Sequence, residues 1–393
     1  MLGLKGPMSR FGEVIKRFLP GVHIGEMASH AKPIAGVELD ATAFVGPTLT
    51  GLDGDLTAPV HNYPEFEQRF GGAEPLLDGN GNNVVNFVAL GAKAFFDNGG
   101  RTLYVAPTPN WSVANFEQAL TALESVPDIG LVAAPGYSTL AVDNYPEMSK
   151  AMVRHAEKMR HRFALIDPPP GRRGFDLVHL RNQFSSNQAI MYTPWVRVDD
   201  QSSSSTVTLP PSPFIAGIIA RVDRQRGIYK APANELIKDA IGLEQEVTDQ
   251  EQTLLHPLGI NALRYIPDKG YLVWGARTLS DDPEWKYVNV RRYFVYLEQS
   301  IAKGTQWAVS EPNAEPLWND LQQSITQFMH NEWRSGGLQG AKPEQAFFVR
   351  CDRSTMTTQD LSEGRTVCMV GFAPLKPAEF IIFRVTIERR VEQ

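Results

Sequence analysis

The sequence is poor in cysteine and has no long apolar run. Only two cysteines, Cys351 and Cys368, occur in 393 residues, so no disulfide framework is expected to hold this fold together. They lie on neighbouring predicted strands and could face each other, but we expect buried thiols, because disulfides are rare in cytosolic proteins. The longest apolar stretches, at 214–220 and 380–383, fall far short of the roughly 20 residues that span a bilayer. Insertion into a membrane is therefore not expected.

Basic charge is not in excess, and no signal peptide is visible. The formal net charge is −6, which gives no reason to expect nucleic acid as a partner. The first residues carry several lysines and arginines, but no apolar segment follows them that could act as the core of a signal peptide. We therefore expect synthesis in the cytosol.

Motifs for metal, nucleotide or nucleophilic chemistry are also missing. The eight histidines are scattered, with no His-Glu-x-x-His pattern and no Cys-x-x-Cys pattern. A segment beginning at Asp78 resembles the start of a calcium loop, but Asn83 replaces the required glycine and Ala89 replaces the twelfth-position glutamate. Phosphate-binding glycine loops and the Gly-x-Ser-x-Gly elbow are absent. We expect no catalytic residues, no metal site and no cofactor.

What the sequence does contain is a regular alternation of strands and helices. Apolar runs at 129–133, 163–166 and 189–192 predict buried strands, and amphipathic segments at 145–160 and 214–224 predict helices between and after them. This order indicates an α/β layer with a largely parallel sheet.

After about residue 250 the pattern becomes α+β. Strands are predicted at 271–274, 346–350 and 367–372, and 307–309 is expected to be extended. Two helices are marked by apolar stripes, the first with Val290, Phe294, Leu297 and Ile301 and the second with Leu317, Leu321, Ile325 and Phe328. The polar segment 201–206 is expected to be a surface loop. The length of 393 residues favours two domains.

Two further features raise the question of a partner. Residues 383–388 alternate apolar and polar side chains near the end of the chain, and a strand there must find an edge to pair with. Trp318 and Trp333 lie off the second apolar stripe, or at its edge. Such tryptophans either extend the core or mark a protein contact, and the sequence leaves both interpretations open.

Several segments resemble the contractile tail sheath family. The most specific is Lys269-Gly-Tyr-Leu-Val-Trp-Gly-Ala-Arg-Thr-Leu279, followed by Trp285-Lys-Tyr-Val-Asn-Val-Arg-Arg292. Other similar segments are 20–22, 66–72, 95–101, 226–227 with 231–234, 304–307 and 311–318. The resemblance covers nearly the whole chain, and the modest length is typical of the compact sheaths of pyocins and extracellular injection systems.

The resemblance implies an architecture and an assembly. It implies a subtilisin-like central α/β domain without a protease triad at 27–250 and an α+β domain facing an inner tube at 251–375. Linking arms are implied at 1–26 and 376–393. The arm residues would be Val22, Ile24, Phe380, Ile382, Phe383, Val385 and Ile387. The edge that accepts an arm strand would include Phe347, Val349, Val367 and Met369.

The resemblance also implies partners and a mechanism. Six subunits would form each ring around the tube, and stacked rings would contract. The tube-facing helix would present Trp318, Asp320, Gln323, Gln327, His330, Glu332 and Arg334. The implied partners are further copies of the chain, the inner tube protein, and baseplate and cap proteins, assembled in the bacterial cytoplasm.

Three alternatives remain open. The chain could be a sheath paralogue confined to the baseplate or cap end, which sequence separates poorly from a main sheath. It could be an α/β hydrolase or a nucleotide-binding enzyme, an interpretation that rests only on the central β-α-β order. It could be a receptor-binding module, although the missing disulfides and repeats argue against that.

Overall fold

The computed structural model describes residues 32–52, 54–78, 80–140, 142–200 and 205–379. Its strands are β1 (Thr42–Pro47), β2 (Leu76–Leu77), β3 (Asn83–Val84), β4 (Leu103–Thr108), β5 (Leu131–Ala133), β6 (Phe163–Ile166), β7 (Ala189–Thr193), β8 (Val196–Asp200), β9 (Ser205–Leu209), β10 (Glu235–Leu236), β11 (Ala240–Leu243), β12 (Ile260–Ile266), β13 (Gly270–Val273), β14 (Phe347–Arg350) and β15 (Met369–Phe372).

Eight of these strands form one mixed sheet in the order β10-β13-β12-β7-β6-β5-β1-β4. The six strands from β12 to β4 pair in parallel. The last two are antiparallel, with β13 on β12 and β10 on β13. This confirms the predicted α/β layer.

The helices of the described residues are α1 (Tyr63–Phe70), α2 (Phe87–Asp97), α3 (Val113–Leu123), α4 (Tyr137–Leu140), α5 (Tyr145–Met159), α6 (Gly174–Arg181), α7 (Ser212–Arg226), α8 (Asp249–Leu255), α9 (Val288–Gly304), α10 (Glu315–Arg334), α11 (Pro343–Ala346) and α12 (Thr358–Ser362). Both faces of the central sheet are covered by them. Side chains alternate between the faces, so Phe44 enters one core while Ala43 and Val45 enter the other. Burial on both sides explains why these strands are continuous apolar runs.

Helices α2 and α7 pack closely on the first of these faces. A Cβ atom at Gly217 in α7 would lie 2.4 Å from the carbonyl oxygen of Phe95 in α2. Only glycine permits this approach, so the predicted helix at 214–224 is held against its neighbour by backbone contact as well as by side chains.

The last part of the chain builds a second region from α9, α10 and the antiparallel pair β14–β15. Tyr293 and Leu297 from α9 meet Ile325 and Phe328 from α10 in one core, which Phe347 of β14 helps to close. The strand and helix positions confirm the predicted α+β character.

Several local predictions were wrong. Cys351 and Cys368 form a disulfide instead of two free thiols, because β14 and the segment before β15 bring them together across the sheet. Residues 306–308 form a 3₁₀ turn instead of an extended segment. Of the predicted surface loop, 201–204 lie outside the described residues, and Ser205 begins β9 in a small sheet ordered β11-β8-β9.

The predicted domain boundary at residue 250 does not coincide with an edge of the central sheet. Strands β12 and β13 follow that boundary, yet they pair within the eight-stranded sheet through β7. The sheet therefore ends at residue 273 in sequence, and helices α9 and α10 follow it.

Candidate functional site

Helix α10 separates a buried face from an exposed polar face. Leu317, Leu321, Ile325 and Phe328 are all buried, as the apolar stripe predicted. Pro316 occupies the first turn of the helix, where proline is tolerated. Thus the predicted helix exists and its core-facing side is established.

The exposed face of α10 carries five of the seven predicted tube-facing residues. They lie at helical spacings of three, four, three and four residues, which places them on one side of the helix. Gln323, Gln327 and Arg334 are exposed, and Asp320 and His330 are partly exposed. These five residues are called the α10 polar face below: Asp320, Gln323, Gln327, His330 and Arg334.

Trp318 does not belong to this face. Its side chain is 4% exposed, packs in a small core with Cys351 and Met356, and donates a hydrogen bond from Nε1 to Asn313 Oδ1 over 2.7 Å. The interpretation of Trp318 as core is confirmed, and its assignment to an exposed contact surface is wrong.

Trp333 is partly exposed, and its Nε1 donates to the Gly340 carbonyl oxygen over 2.9 Å.

Glu332 also points inward. Its carboxylate accepts hydrogen bonds from Tyr293 Oη over 2.9 Å and from Tyr296 Oη over 3.0 Å. Burial raises the pKa of Glu332 above its ordinary value, although the two phenol hydrogen bonds act in the opposite direction. Glu332 thus ties α10 to α9 and does not lie on the α10 polar face, and its tube-facing role stays a prediction.

Sequence reasoning missed Tyr293 and Tyr296 as partners of this carboxylate. The two tyrosines are three residues apart on α9, a spacing that places them on the same side of a helix. Their rings stack with a centroid distance of 5.7 Å. No sequence signal linked them to Glu332, since the contact depends on how α9 and α10 pack.

The predicted acceptor edge is a two-stranded antiparallel sheet. Phe347 pairs with Phe372, and Val349 pairs with Val370. Paired residues share a face of the sheet, so these four turn towards the core, whereas Phe348 and Met369 lie on the outer face and are 53% and 50% exposed. Within the described residues, no third strand pairs with β14 or β15.

The other two predicted acceptor residues differ in their position relative to β15. Met369 begins β15, whereas Val367 precedes it and belongs to the segment after α12.

Beside β15 lies a groove of about 380 Å³, lined by residues that include Trp285, Phe294 and Phe372. The sheet thus presents unpaired strand edges next to an aromatic groove.

The predicted arm residues cannot be placed. Val22, Ile24, Phe380, Ile382, Phe383, Val385 and Ile387 lie outside the described residues. The described chain ends at Glu379.

A buried serine–aspartate pair lies in the central domain. Asp167 accepts hydrogen bonds from the Ser212 backbone nitrogen over 2.8 Å and from Ser212 Oγ over 2.5 Å. Burial raises the pKa of Asp167 to about 7. Both bonds satisfy donors at the first residue of α7, so helix capping explains the pair.

The described residues contain no group of three or more histidine, cysteine, aspartate or glutamate side chains arranged to hold a metal ion. Across the same ranges, no helix combines the length and apolar character that a membrane span requires.

The chain is similar to phage tail sheath domains and proteins over much of its length. The model for the phage tail sheath protein central domain matches residues 111–279, and the model for the phage tail sheath C-terminal domain matches residues 280–388. A putative prophage major tail sheath protein of Pseudomonas aeruginosa strain UCBPP-PA14 is 28% identical over 261 residues, which cover 65% of this chain and 64% of that protein. The tail sheath protein of Escherichia phage P2 is 23% identical over 278 residues, covering 69% and 66%. The matched part thus spans just under two thirds of these two relatives.

Solved structures are similar over a larger share of the chain. The sheath complex of an extracellular contractile injection system, PVC, in the contracted state superposes with a TM-score of 0.77 at 28% identity, covering 94% of this chain and 97% of that one. The helical sheath of the anti-feeding prophage in the contracted state has a TM-score of 0.76 at 30% identity, covering 94% and 99%. The two family models together match residues 111–388, and the fold agrees with these solved sheaths over 94% of the chain. The chain therefore belongs to the phage tail sheath protein family.

Proposed function

We propose that this chain is the structural sheath subunit of a contractile injection machine. It polymerises as stacked six-fold helical rings around an inner tube, and the polymer contracts to drive the tube through a target envelope. The observation that carries this proposal is the likeness over 94% of the chain to two sheaths in the contracted state. We further propose that the subunit has no catalytic role and is assembled in the bacterial cytoplasm.

Unpaired edges in the β14–β15 sheet support linkage by strand exchange. A strand from a neighbouring subunit adds main-chain hydrogen bonds to such an edge, each contributing about 0.5–1.5 kcal/mol net. Phe347 and Val349 face the core, so an added strand would continue a sheet that is already packed on one side. The predicted arms at 1–26 and 376–393 would supply these strands.

Contraction of such a polymer requires two lattice arrangements with different interface free energies. The energy difference between the arrangements drives the transition, as in other two-state assemblies. Under this proposal the inner tube and the baseplate hold the extended arrangement, and a cap protein closes the far end. No nucleotide is required at any step.

The proposal is tested by electron microscopy of the purified full-length chain. We expect long tubes of helically stacked rings in negative stain, with six-fold symmetry in end views. A monodisperse monomer at every protein concentration and ionic strength would contradict the proposal.

The α10 polar face is proposed as the surface that contacts the inner tube. It is polar and charged, so its contacts would depend on charge and weaken with salt. We expect that the double variant Asp320→Lys, Arg334→Glu still polymerises but no longer forms extended sheaths around the tube. Electron microscopy of sheaths assembled with tube protein measures this.

A matched control is available on α5. Lys150 and Glu157 are exposed, and Lys150→Glu with Glu157→Lys leaves the net charge unchanged, as the α10 double variant does. Tube-bound sheaths should persist in this control. Normal extended sheaths from the α10 double variant would disprove the assignment of this face.

A second candidate function is that of a sheath paralogue at the baseplate end. The anti-feeding prophage baseplate contains a chain that is 30% identical to this one, with a TM-score of 0.76. The number of copies per particle separates the two, since a main sheath is present in every ring whereas a paralogue is confined to a few.

A further inference from the structure

The carboxylate of Glu379 is held by four side chains of the body. Arg277 donates from Nε to Oε1 over 2.7 Å and from a terminal guanidinium nitrogen to Oε2. Tyr287 Oη donates to Oε2 over 3.0 Å. His256 Nε2 lies 3.1 Å from Oε1, and Lys286 Nζ lies 3.8 Å from Oε2. A carboxylate gripped by a bidentate arginine has strong and directional bonds.

Arg277 is fixed by contacts that do not involve Glu379. Its side chain is 5% exposed, its remaining guanidinium nitrogen donates to the His256 carbonyl oxygen over 2.8 Å, and its backbone nitrogen donates to Asn261 Oδ1 over 2.7 Å. Arg277 also forms an isolated antiparallel bridge with Tyr287. The pocket is therefore preorganised for one carboxylate.

The segment that leads to Glu379 is bound to the body along its length. The Gln339 backbone nitrogen donates to the Ala373 carbonyl oxygen over 2.9 Å, and Asn289 Nδ2 donates to the Leu375 carbonyl oxygen over 3.1 Å. Pro374 and Pro377 restrict the backbone further, since proline fixes one dihedral angle. The chain thus stays docked from β15 to Glu379, although the sequence predicted an arm beginning at 376.

We propose that Glu379 and Arg277 form a clamp that fixes the point at which the C-terminal arm leaves the subunit. This inference rests on the proposed role of the arm. Residues 380–393 span at most about 48 Å when extended, and a fixed starting point restricts the volume that they search. Restricting that volume raises the effective concentration of the arm at the neighbouring strand edge.

Glu379 and Arg277 are positioning residues in this scheme, because they act on the assembly through the arm. Arg277 lies in the segment 269–279 that carries the family resemblance, and Lys286 and Tyr287 lie in the segment 285–292. Apolar packing of these two segments does not explain why they contain polar residues at these positions. The clamp gives those polar residues a structural role.

The clamp is tested with a protease that cleaves after glutamate, on full-length protein at a concentration where it stays monomeric. The carboxylate of Glu379 must leave its pocket before such a protease can bind it. The cleavage rate therefore follows the fraction of molecules in which Glu379 has left the pocket. We expect Arg277→Lys, which loses the bidentate fork, to raise the rate of cleavage after Glu379 at least tenfold. Cleavage after the exposed Glu363, read by mass spectrometry in the same sample, is the internal reference.

A milder variant and a matched control accompany this test. Tyr287→Phe removes one hydrogen bond and should accelerate cleavage after Glu379 by a smaller factor, even if Arg277→Lys fails to fold. Arg154→Lys alters an exposed ion pair with Glu117 and should leave the rate unchanged. Equal cleavage rates in the wild type, Arg277→Lys and Tyr287→Phe would overturn the clamp.

A second readout connects the clamp to assembly. Glu379→Gln should raise the protein concentration needed for polymerisation about 1.5-fold, because an arm released back to Leu375 has 18 residues instead of 14 and effective concentration falls with about the −3/2 power of length. Glu157→Gln on an exposed face of α5 should not change it. An unchanged threshold for Glu379→Gln would overturn the role of the clamp in assembly. The protease test needs no polymer, so it stays valid even if the arm has no role in assembly. Failure of the proposed arm role is recognised separately, from polymerisation.

Discussion

Deletion of residues 380–393 is expected to abolish polymerisation while the subunit stays folded. The deleted residues contain the alternating segment 383–388, which is predicted to be a strand, and the β14–β15 sheet offers unpaired edges within the described residues. Under the proposed pairing, the deletion removes several main-chain hydrogen bonds of about 0.5–1.5 kcal/mol each, and it does so at every subunit of the polymer. Negative-stain electron microscopy should show tubes for the full-length chain and none for the deletion.

Two comparisons separate loss of the strand from loss of chain length. Deletion of 389–393 removes residues beyond the alternating segment and should leave the tubes intact. Val385→Asp places a charge on the apolar side of the predicted strand and should prevent polymerisation, whereas Thr386→Asp on its predicted polar side should be tolerated. An unchanged melting temperature for the variant that lacks 380–393 would show that the fold survives. Tubes of normal length from the same variant would refute the role of the C-terminal arm.

Replacement of Arg292 by methionine should cost the largest amount of stability among the single changes considered. Arg292 in α9 is 1% exposed. Its guanidinium donates to both carboxylate oxygens of Asp223 in α7, over 2.8 and 2.6 Å, and to the Leu39 carbonyl oxygen over 2.9 Å. The pair therefore joins the C-terminal region to a helix of the central sheet layer.

The cost arises because Arg292→Met leaves the Asp223 carboxylate without its cation at a site that is 13% exposed. Breaking a buried ion pair on one side typically costs about 3–5 kcal/mol. Asp40 adds to this effect, since burial and repulsion from Asp223 and Glu38 already raise its pKa, and Arg292 opposes that rise. Urea unfolding followed by tryptophan fluorescence measures the loss.

Two variants serve as controls for the ion pair. Arg291→Met alters the neighbouring arginine, which lies over the Trp285 ring at 4.9 Å, and should cost about 0.5–2 kcal/mol. The double variant Arg292→Met, Asp223→Asn should recover part of the lost stability, because no unpaired charge remains. An Arg292→Met variant as stable as Arg291→Met would contradict the importance of this pair.

Periodicity in the sequence was sufficient for helices α5, α7, α9 and α10 and for the buried strands β5, β6 and β7. The apolar runs at 163–166 and 189–192 became neighbouring parallel strands, and the stripe from Leu317 to Phe328 became the buried side of α10. The spacing of apolar residues is a local property of each segment, so these elements could be predicted one at a time. Other elements were missed, although β12 among them pairs in the same sheet. They include α1, α3, α6, α8, β8, β9, β11 and β12.

Contacts between distant segments could not be predicted in this way. Trp318 lies three residues before Leu321, and Glu332 lies four residues after Phe328, so helical spacing already places both towards the buried side of α10. Their partners, in contrast, depend on what packs opposite them. These are Cys351 and Met356 for the tryptophan and two tyrosines of α9 for the glutamate. The Cys351–Cys368 disulfide likewise depends on the antiparallel pairing of β14 and β15.

Neighbouring residues encode the helices and strands with a strong apolar pattern, the apolar faces of those elements, and the family motifs at 269–279 and 285–292. Tertiary packing, in contrast, brings two tyrosines of α9 to the carboxylate of Glu332 and keeps the chain docked as far as Glu379. Both outcomes depend on partners that are remote in sequence, such as Tyr293 for Glu332 and Arg277 for Glu379. A charged side chain is buried only where the fold supplies its counter-ion or its hydrogen-bond donors, and that supply is a property of the packed chain.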